Sequence, residues 1–124
     1  MILLTPDLRQ RLLANGRERD VDHVPVVKFF NPVGTGTWLA TELDADGDTL
    51  FGLADLGEPE LGSFSLSEME AVELPFGLGI ERDILFDSAL PLSVWADTSR
   101  ETGSISAAER ILSRAARANE RRGE

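Results

Sequence analysis

A chain of 124 residues, 42% hydrophobic and 27% charged, is long enough to bury a core without staples and lies far from the composition of a disordered segment. It holds no cysteine and one histidine, His23, which excludes disulfides, thiolate nucleophiles, cysteine-ligated zinc or iron–sulfur centres and histidine-rich metal sites. The net charge of −10 is unevenly placed: residues 20–103 carry 17 acidic groups against Lys28, Arg82 and Arg100, while residues 1–19 and 104–124 are each +2, so the middle repels polyanions and the two ends tolerate them.

No apolar run approaches the roughly 18 residues that cross a bilayer. Met1-Ile2-Leu3-Leu4 lacks a charged leader region and runs straight into Thr5-Pro6-Asp7, so a cytoplasmic protein with no membrane partner is expected. Thr5, Pro6 and Asp7 together read as a helix start: a capping hydroxyl, a proline at the first helical position and a carboxylate at the positive end of the dipole. Leu4, Leu8 and Leu12 share one face of that helix, and Asn15-Gly16 reads as a left-handed stop.

Val24 to Phe30 is β-branched and aromatic, with Pro25 near its start, and predicts a first strand. Asn31 to Gly36 is turn chemistry, Thr37 to Leu43 alternates as a half-buried strand, Asp44 to Asp48 turns the chain, and Thr49 to Asp55 returns it, giving an antiparallel meander. Gly52 inside the third strand marks a bulge or a close backbone approach. Gly57 to Gly62 reads as a loop, Ser63 to Leu66 as a short strand, Ser67 to Glu70 as the opening of a short helix, and Gly79 to Asp87 as a last strand. Pro91 to about Glu101 is helical and ends at Gly103, and Ser106 caps a final helix from Ala107 onward.

These elements predict an α+β fold: an antiparallel sheet of four to five strands with a meander core, packed by an N-terminal helix and C-terminal helices. Residues 1–103 form the domain, and residues 104–124 an arginine-rich helix that frays at its end. The leucines of the first helix, with later segments, are expected to cover the inner side of the meander.

Candidate chemistry is sparse. Asp44-Ala45-Asp46-Gly47-Asp48 resembles a calcium loop only superficially, because glycine arrives at the fourth position rather than the sixth and the twelfth is Asp55; a hairpin turn fits better. His23 sits beside Asp22, which could hold its tautomer, but no nucleophile elbow accompanies it, and a structural or surface histidine fits better than a catalytic one. Gly34-Thr35-Gly36 opens into a strand, not the helix a phosphate loop needs. No metal or cofactor is expected. Asp55, Glu60, Glu81 and Asp83 could pair in a cleft as acid and base, should the fold bring them together. Arg110, Arg114, Arg117 and Arg121 fall at i, i+4, i+7 and i+11, one helix face that can meet successive phosphates or an acidic partner. The same row could dock on the acidic body of its own chain, or be a solvated face paired with Glu109 and Glu120.

Several spaced blocks carry a family resemblance: Asp22 to Phe30, Thr37 to Leu43, Phe51 to Gly57, Pro59 to Gly62, and Gly79 to Asp83. In this order, over residues 3–103, they resemble the domain of unknown function 2958 family, small bacterial proteins that recur on plasmids and other mobile elements, often near conjugation and anti-restriction genes. The resemblance implies the fold above and a cytoplasmic setting, and it brings no activity with it. The arginine-rich tail after Gly103 lies outside it.

Two functions are therefore expected in turn. One is a non-enzymatic binding or accessory protein of a mobile element that engages a protein partner through its acidic surface, with nucleic acid reached only through the C-terminal arginines. The alternative is a small hydrolase or nucleic-acid-processing enzyme. It would use the matching polar residues Lys28, Glu42, Asp55, Glu60, Glu81, Arg82 and Asp83 in one cleft, with Asp55, Glu60 and Arg82 as the catalytic candidates.

Overall fold

The computed structural model describes residues 2–122. Helix α1 (Pro6–Gly16) starts as its residues dictate: Thr5 Oγ1 accepts the Leu8 N–H at 3.2 Å, Pro6 opens the helix and Asp7 lies in its first turn. It does not end as expected. Gly16 is not left-handed, and Arg17 closes the helix with right-handed angles. The glycine serves a close approach instead, since a Cβ there would lie 2.3 Å from the Leu43 carbonyl oxygen, and its absence lets α1 rest directly on the sheet.

Strands β1 (Val27–Phe30), β2 (Thr37–Leu43), β3 (Thr49–Asp55) and β4 (Pro59–Ser65) form the antiparallel meander. The two-residue β5 (Glu81–Arg82) adds to the free side of β1, giving the order β4-β3-β2-β1-β5. Three of these differ in extent from expectation. β1 begins three residues late, because Pro25 has no N–H to donate and the ladder reaches back only as far as the Val26 N–H on the Ala40 carbonyl. β4 takes in most of the predicted loop. Asp55 Oδ1 accepts the Gly57 N–H at 3.0 Å and Gly57 sits at φ 123, so the turn is tight and Pro59 falls at the start of an edge strand, where a missing donor costs little. β5 is cut short because the Phe86 N–H bonds back to the Asp83 carbonyl and the Leu85 N–H to Asp83 Oδ1, folding residues 83–86 into a turn.

Gly52 marks the close approach, and the bulge lies on the neighbouring strand. A Cβ on Gly52 would sit 1.8 Å from the Leu39 carbonyl oxygen. The register between β2 and β3 slips between Ala40 and Glu42, leaving Thr41 as the extra residue. Its hydroxyl donates to the Phe51 carbonyl at 3.2 Å and its own carbonyl accepts from Asn15 Nδ2 at 3.0 Å, so the bulged residue's carbonyl and hydroxyl both keep partners.

Helix α2 (Leu66–Glu70) is capped by Ser65, whose Oγ accepts the Glu68 N–H at 3.2 Å, rather than by Ser67. Helix α3 (Leu92–Thr102) ends on the left-handed Gly103, at φ 94, as its composition predicts. Helix α4 (Ile105–Arg122) begins two residues early, with Ser104 in place of Ser106 as the cap, its Oγ accepting the Ala107 N–H at 3.0 Å. The expected fraying at the end of this helix concerns residues past Arg122, outside the described residues.

The sheet is covered on both faces, not only on the side of the N-terminal helix. Successive strand residues point to opposite sides, and the two buried clusters divide accordingly. Val27, Phe29, Ala40, Leu43 and Leu50 pack with Leu3, Leu4, Leu12 of α1, Leu66 and Met69 of α2, and Ile80. On the other face Leu39 and Leu53 pack with Leu92, Trp95 and Ala96 of α3 and Ile105 and Ala108 of α4. The result is a three-layer α+β arrangement, helix on sheet on helices.

Candidate functional site

The structure does not bring Asp55, Glu60 and Arg82 together. Glu60 lies exposed on edge strand β4 and Arg82 on the opposite edge, β5. Four strand spacings separate them, about 19 Å, far beyond the reach of an acid–base pair. Each of the three has other surroundings. Asp55 is buried at the end of β3, where Oδ1 takes the Gly57 N–H and Oδ2 takes the Ile105 N–H at 3.0 Å, so it ties the first residue of α4 to the sheet. Arg82 Nη1 donates to the carbonyls of Leu3, at 2.7 Å, and Ile2, at 3.3 Å, fastening the N-terminal segment. Glu81 is half-buried beside it on β5, paired in register with Phe30.

Lys28 and Asp83 do converge. Lys28 on β1 is nearly covered, and its Nζ lies 3.5 Å from Asp83 Oδ2 and 2.8 Å from Oε1 of Glu109 on α4. One ammonium with two carboxylates joins strand, turn and helix at a partly buried spot, where such pairs are screened less than on an open surface. Of the two glutamates that could pair with the arginine row, Glu109 is bound to Lys28. Glu42, on the same face of the sheet as Phe51, lines a shallow cleft of about 200 Å³ with Arg19, Asp44 and Ser63, in which Arg19 and Asp44 form an ion pair.

His23 is buried, and its Nε2–H donates to the Glu18 carbonyl at 2.7 Å. The Asp22 carboxylate does not orient it, being turned to the Ser93 amide and hydroxyl at the start of α3. The Asp44–Asp48 segment is a hairpin turn around the left-handed Gly47, at φ 73. Asp46 accepts the Thr49 hydroxyl at 2.6 Å and the Thr49 and Asp48 amides at 2.9 Å each. These bonds, the Thr49 hydroxyl first, hold its carboxyl below the usual carboxylate range. Asp48 is lowered as well, first by the Ser65 hydroxyl and then by the Ser67 amide at the start of α2. Among the described residues no group of three or more acidic or histidine side chains could hold a metal ion, and no helix is long and apolar enough to cross a membrane.

The concave feature of most chemical interest is one the sequence reading did not find. Between α4 and residues 87–90 runs a groove of about 370 Å³. Its walls are apolar, formed by Leu90, Trp95, Leu112, Ala115 and Ala116, and Asp87, Glu109 and Glu120 stand around it. The Trp95 ring is almost wholly buried where it borders the groove, and its indole N–H is satisfied by Ser88 Oγ at 2.9 Å, so it leaves no unmet donor there. A signal for the helix wall was present, because Ile105, Ala108, Leu112 and Ala115 repeat with helical spacing. The loop wall was not legible, since residues 79–87 read as a strand.

Arg110, Arg114, Arg117 and Arg121 occupy the opposite side of α4 from that apolar stripe, and all four are exposed. The row therefore does not dock on the body of its own chain. Ile111 sits on the flank between the two sides and is 46% exposed.

No curated protein and no solved structure matches the chain. A family model does, over residues 3–106, taking in the whole sheet, α1 to α3 and the first residues of α4. The arginine row lies beyond the matched residues. With five-sixths of its length under one family model, the chain belongs to the family described as Protein of unknown function (DUF2958).

Proposed function

We propose that the protein is a non-enzymatic binding protein of the cytoplasm, an accessory protein of a bacterial mobile element that acts through an acidic surface on a protein partner in anti-defence or plasmid maintenance. The observation that carries this reading is the groove along α4, whose apolar walls stand among the carboxylates of Asp87, Glu109 and Glu120. Such a groove suits a large apolar side chain presented by a basic amphipathic segment: the side chain removes wall and ligand surface from water, and flanking lysines or arginines meet the acidic rim. Proteins that ordinarily bind DNA expose segments of this kind. Lys28 neutralises part of the charge on Glu109, which leaves Asp87 and Glu120 as the stronger electrostatic determinants.

The enzymatic alternative has no comparable support. A hydrolase or nucleic-acid-processing enzyme needs acid, base and electrophile within hydrogen-bond reach of one substrate atom, whereas Glu60 and Arg82 stand at opposite sheet edges and Asp55 spends both oxygens on backbone amides.

A synthetic helix of leucine and lysine, titrated into the full chain by calorimetry, tests the reading. Ala116→Trp fills the groove, and it should weaken binding at least about tenfold, a loss of about 1.4 kcal/mol. Equal affinity of Ala116→Trp and the unaltered chain, or equal binding of a helix with glutamate in place of lysine, would remove the basis for the proposal.

A further inference from the structure

We infer that the outward face of α4 binds the phosphate backbone of nucleic acid, irrespective of base sequence. Arg110, Arg114, Arg117 and Arg121 form one straight row of about 16 Å along the helix, taking 1.5 Å of rise per residue. Among the described residues none of the four has a carboxylate oxygen within ion-pair distance. Glu109, one position before Arg110, points off the arginine face and pairs with Lys28. The row is thus a line of cations that the fold leaves uncompensated, on the side of the helix facing away from the sheet.

The acidic body does not forbid this. The arginine face stands off from the body by the thickness of the helix, about 10–12 Å with side chains, and the Debye length at physiological ionic strength is about 8 Å. Repulsion from the central carboxylates is largely screened at that distance, while the arginines touch their ligand directly.

Chemistry favours phosphate over an acidic protein. A duplex carries a charge about every 1.7 Å of its axis, so a row of arginines meets phosphates wherever it lies along the backbone. An acidic protein must place its carboxylates to match, and a protein interface needs aromatic or aliphatic anchors at its centre. The centre of the arginine face has none: beside the row stand Ser106, Ala107, Ser113 and Ala118, and the one aliphatic residue near it, Ile111, lies on a flank. Asn119, the one side chain of this helix suited to reading an adenine edge, lines the groove on the other side. Contacts to phosphates without contacts to bases give binding that ignores sequence.

The test is fluorescence anisotropy of a labelled 20-base-pair duplex with the full-length chain between 50 and 200 mM salt. Four phosphate contacts predict a slope of about −3.6 in log K against log salt. Arg114→Ala with Arg117→Ala should cut the slope to about −1.8 with the thermal midpoint unchanged, while Arg114→Lys with Arg117→Lys, which keeps the charge, should retain it. No binding at 50 mM salt, or an alanine variant that binds like the unaltered chain, overturns the inference. Polyglutamate binding as tightly as the duplex overturns it in favour of an acidic protein ligand. Should the alanine variant fold poorly, a lysine variant that folds and fails to bind overturns it equally.

Discussion

Asp55 illustrates how a carboxylate that looks chemical on paper becomes structural once its surroundings are known. It ends β3, and it is buried where α4 begins, so its two oxygens meet two amides that would otherwise be unpaired: Gly57 in the turn after the strand and Ile105 at the helix start. The bond to Ile105 spans fifty positions in sequence and joins the family-matched sheet to the helix that carries both candidate surfaces. Asp55→Ala should destabilise the fold by about 2 kcal/mol, because the Ile105 amide is left buried without an acceptor and the turn bond from Gly57 is lost. Urea unfolding measures this, and a change under about 0.5 kcal/mol would show that water replaces the carboxylate. Lys28 and Arg82 follow the same pattern: one holds α4 to β1, the other holds the backbone of Ile2 and Leu3.

At the scale of the element, the β2–β3 pair is set by what is absent at Gly52 and by what is bonded in the turn. A methyl group at Gly52 has no place to go, because the Leu39 carbonyl occupies it. Gly52→Ala should cost about 3 kcal/mol or more, since one of two hydrogen-bonded strands must move. Gly62 on β4 lies directly opposite in register, has open space around its Cβ position and needs no positive φ; Gly62→Ala should be neutral or stabilising by about 0.5 kcal/mol. Thermal unfolding of the two variants side by side separates close approach from glycine content. The turn itself predicts an acid dependence. Asp46 and Asp48 titrate below the usual carboxylate range when folded, so their contribution is complete above that range and is lost as pH falls through their folded values. Asp46→Asn with Asp48→Asn should therefore give a lower thermal midpoint at neutral pH and a shallower decline at low pH. An acid limb of unchanged steepness would show that these two carboxyls do not couple protonation to folding.

At the scale of the whole molecule, α4 presents a different surface on each of its two sides. Its apolar stripe closes the second core through Ile105 and Ala108 and then, past Leu112, becomes the wall of the acid-rimmed groove; its arginine row faces the other way. Much of this was readable from the chain. Alternation placed β2 to the residue and the turn before it placed β3, Thr5-Pro6 marked the start of α1, Gly103 ended α3, and the i, i+4, i+7, i+11 spacing placed four arginines on one face, because each of these rests on interactions within a few positions. What lay beyond local reading was every feature made by residues distant in sequence: that helices cover both faces of the sheet, that Gly16 is needed for contact with Leu43, that Lys28 pairs with Glu109, and that Asp55 holds the first amide of α4 while Glu60 and Arg82 lie at opposite edges. Spacing reports which side of its own element a residue occupies. Which carboxylate meets which cation, and whether a polar side chain faces a substrate or an orphan amide, is settled only when strands pair and helices pack, since the energies involved depend on burial and on distances of a few ångströms.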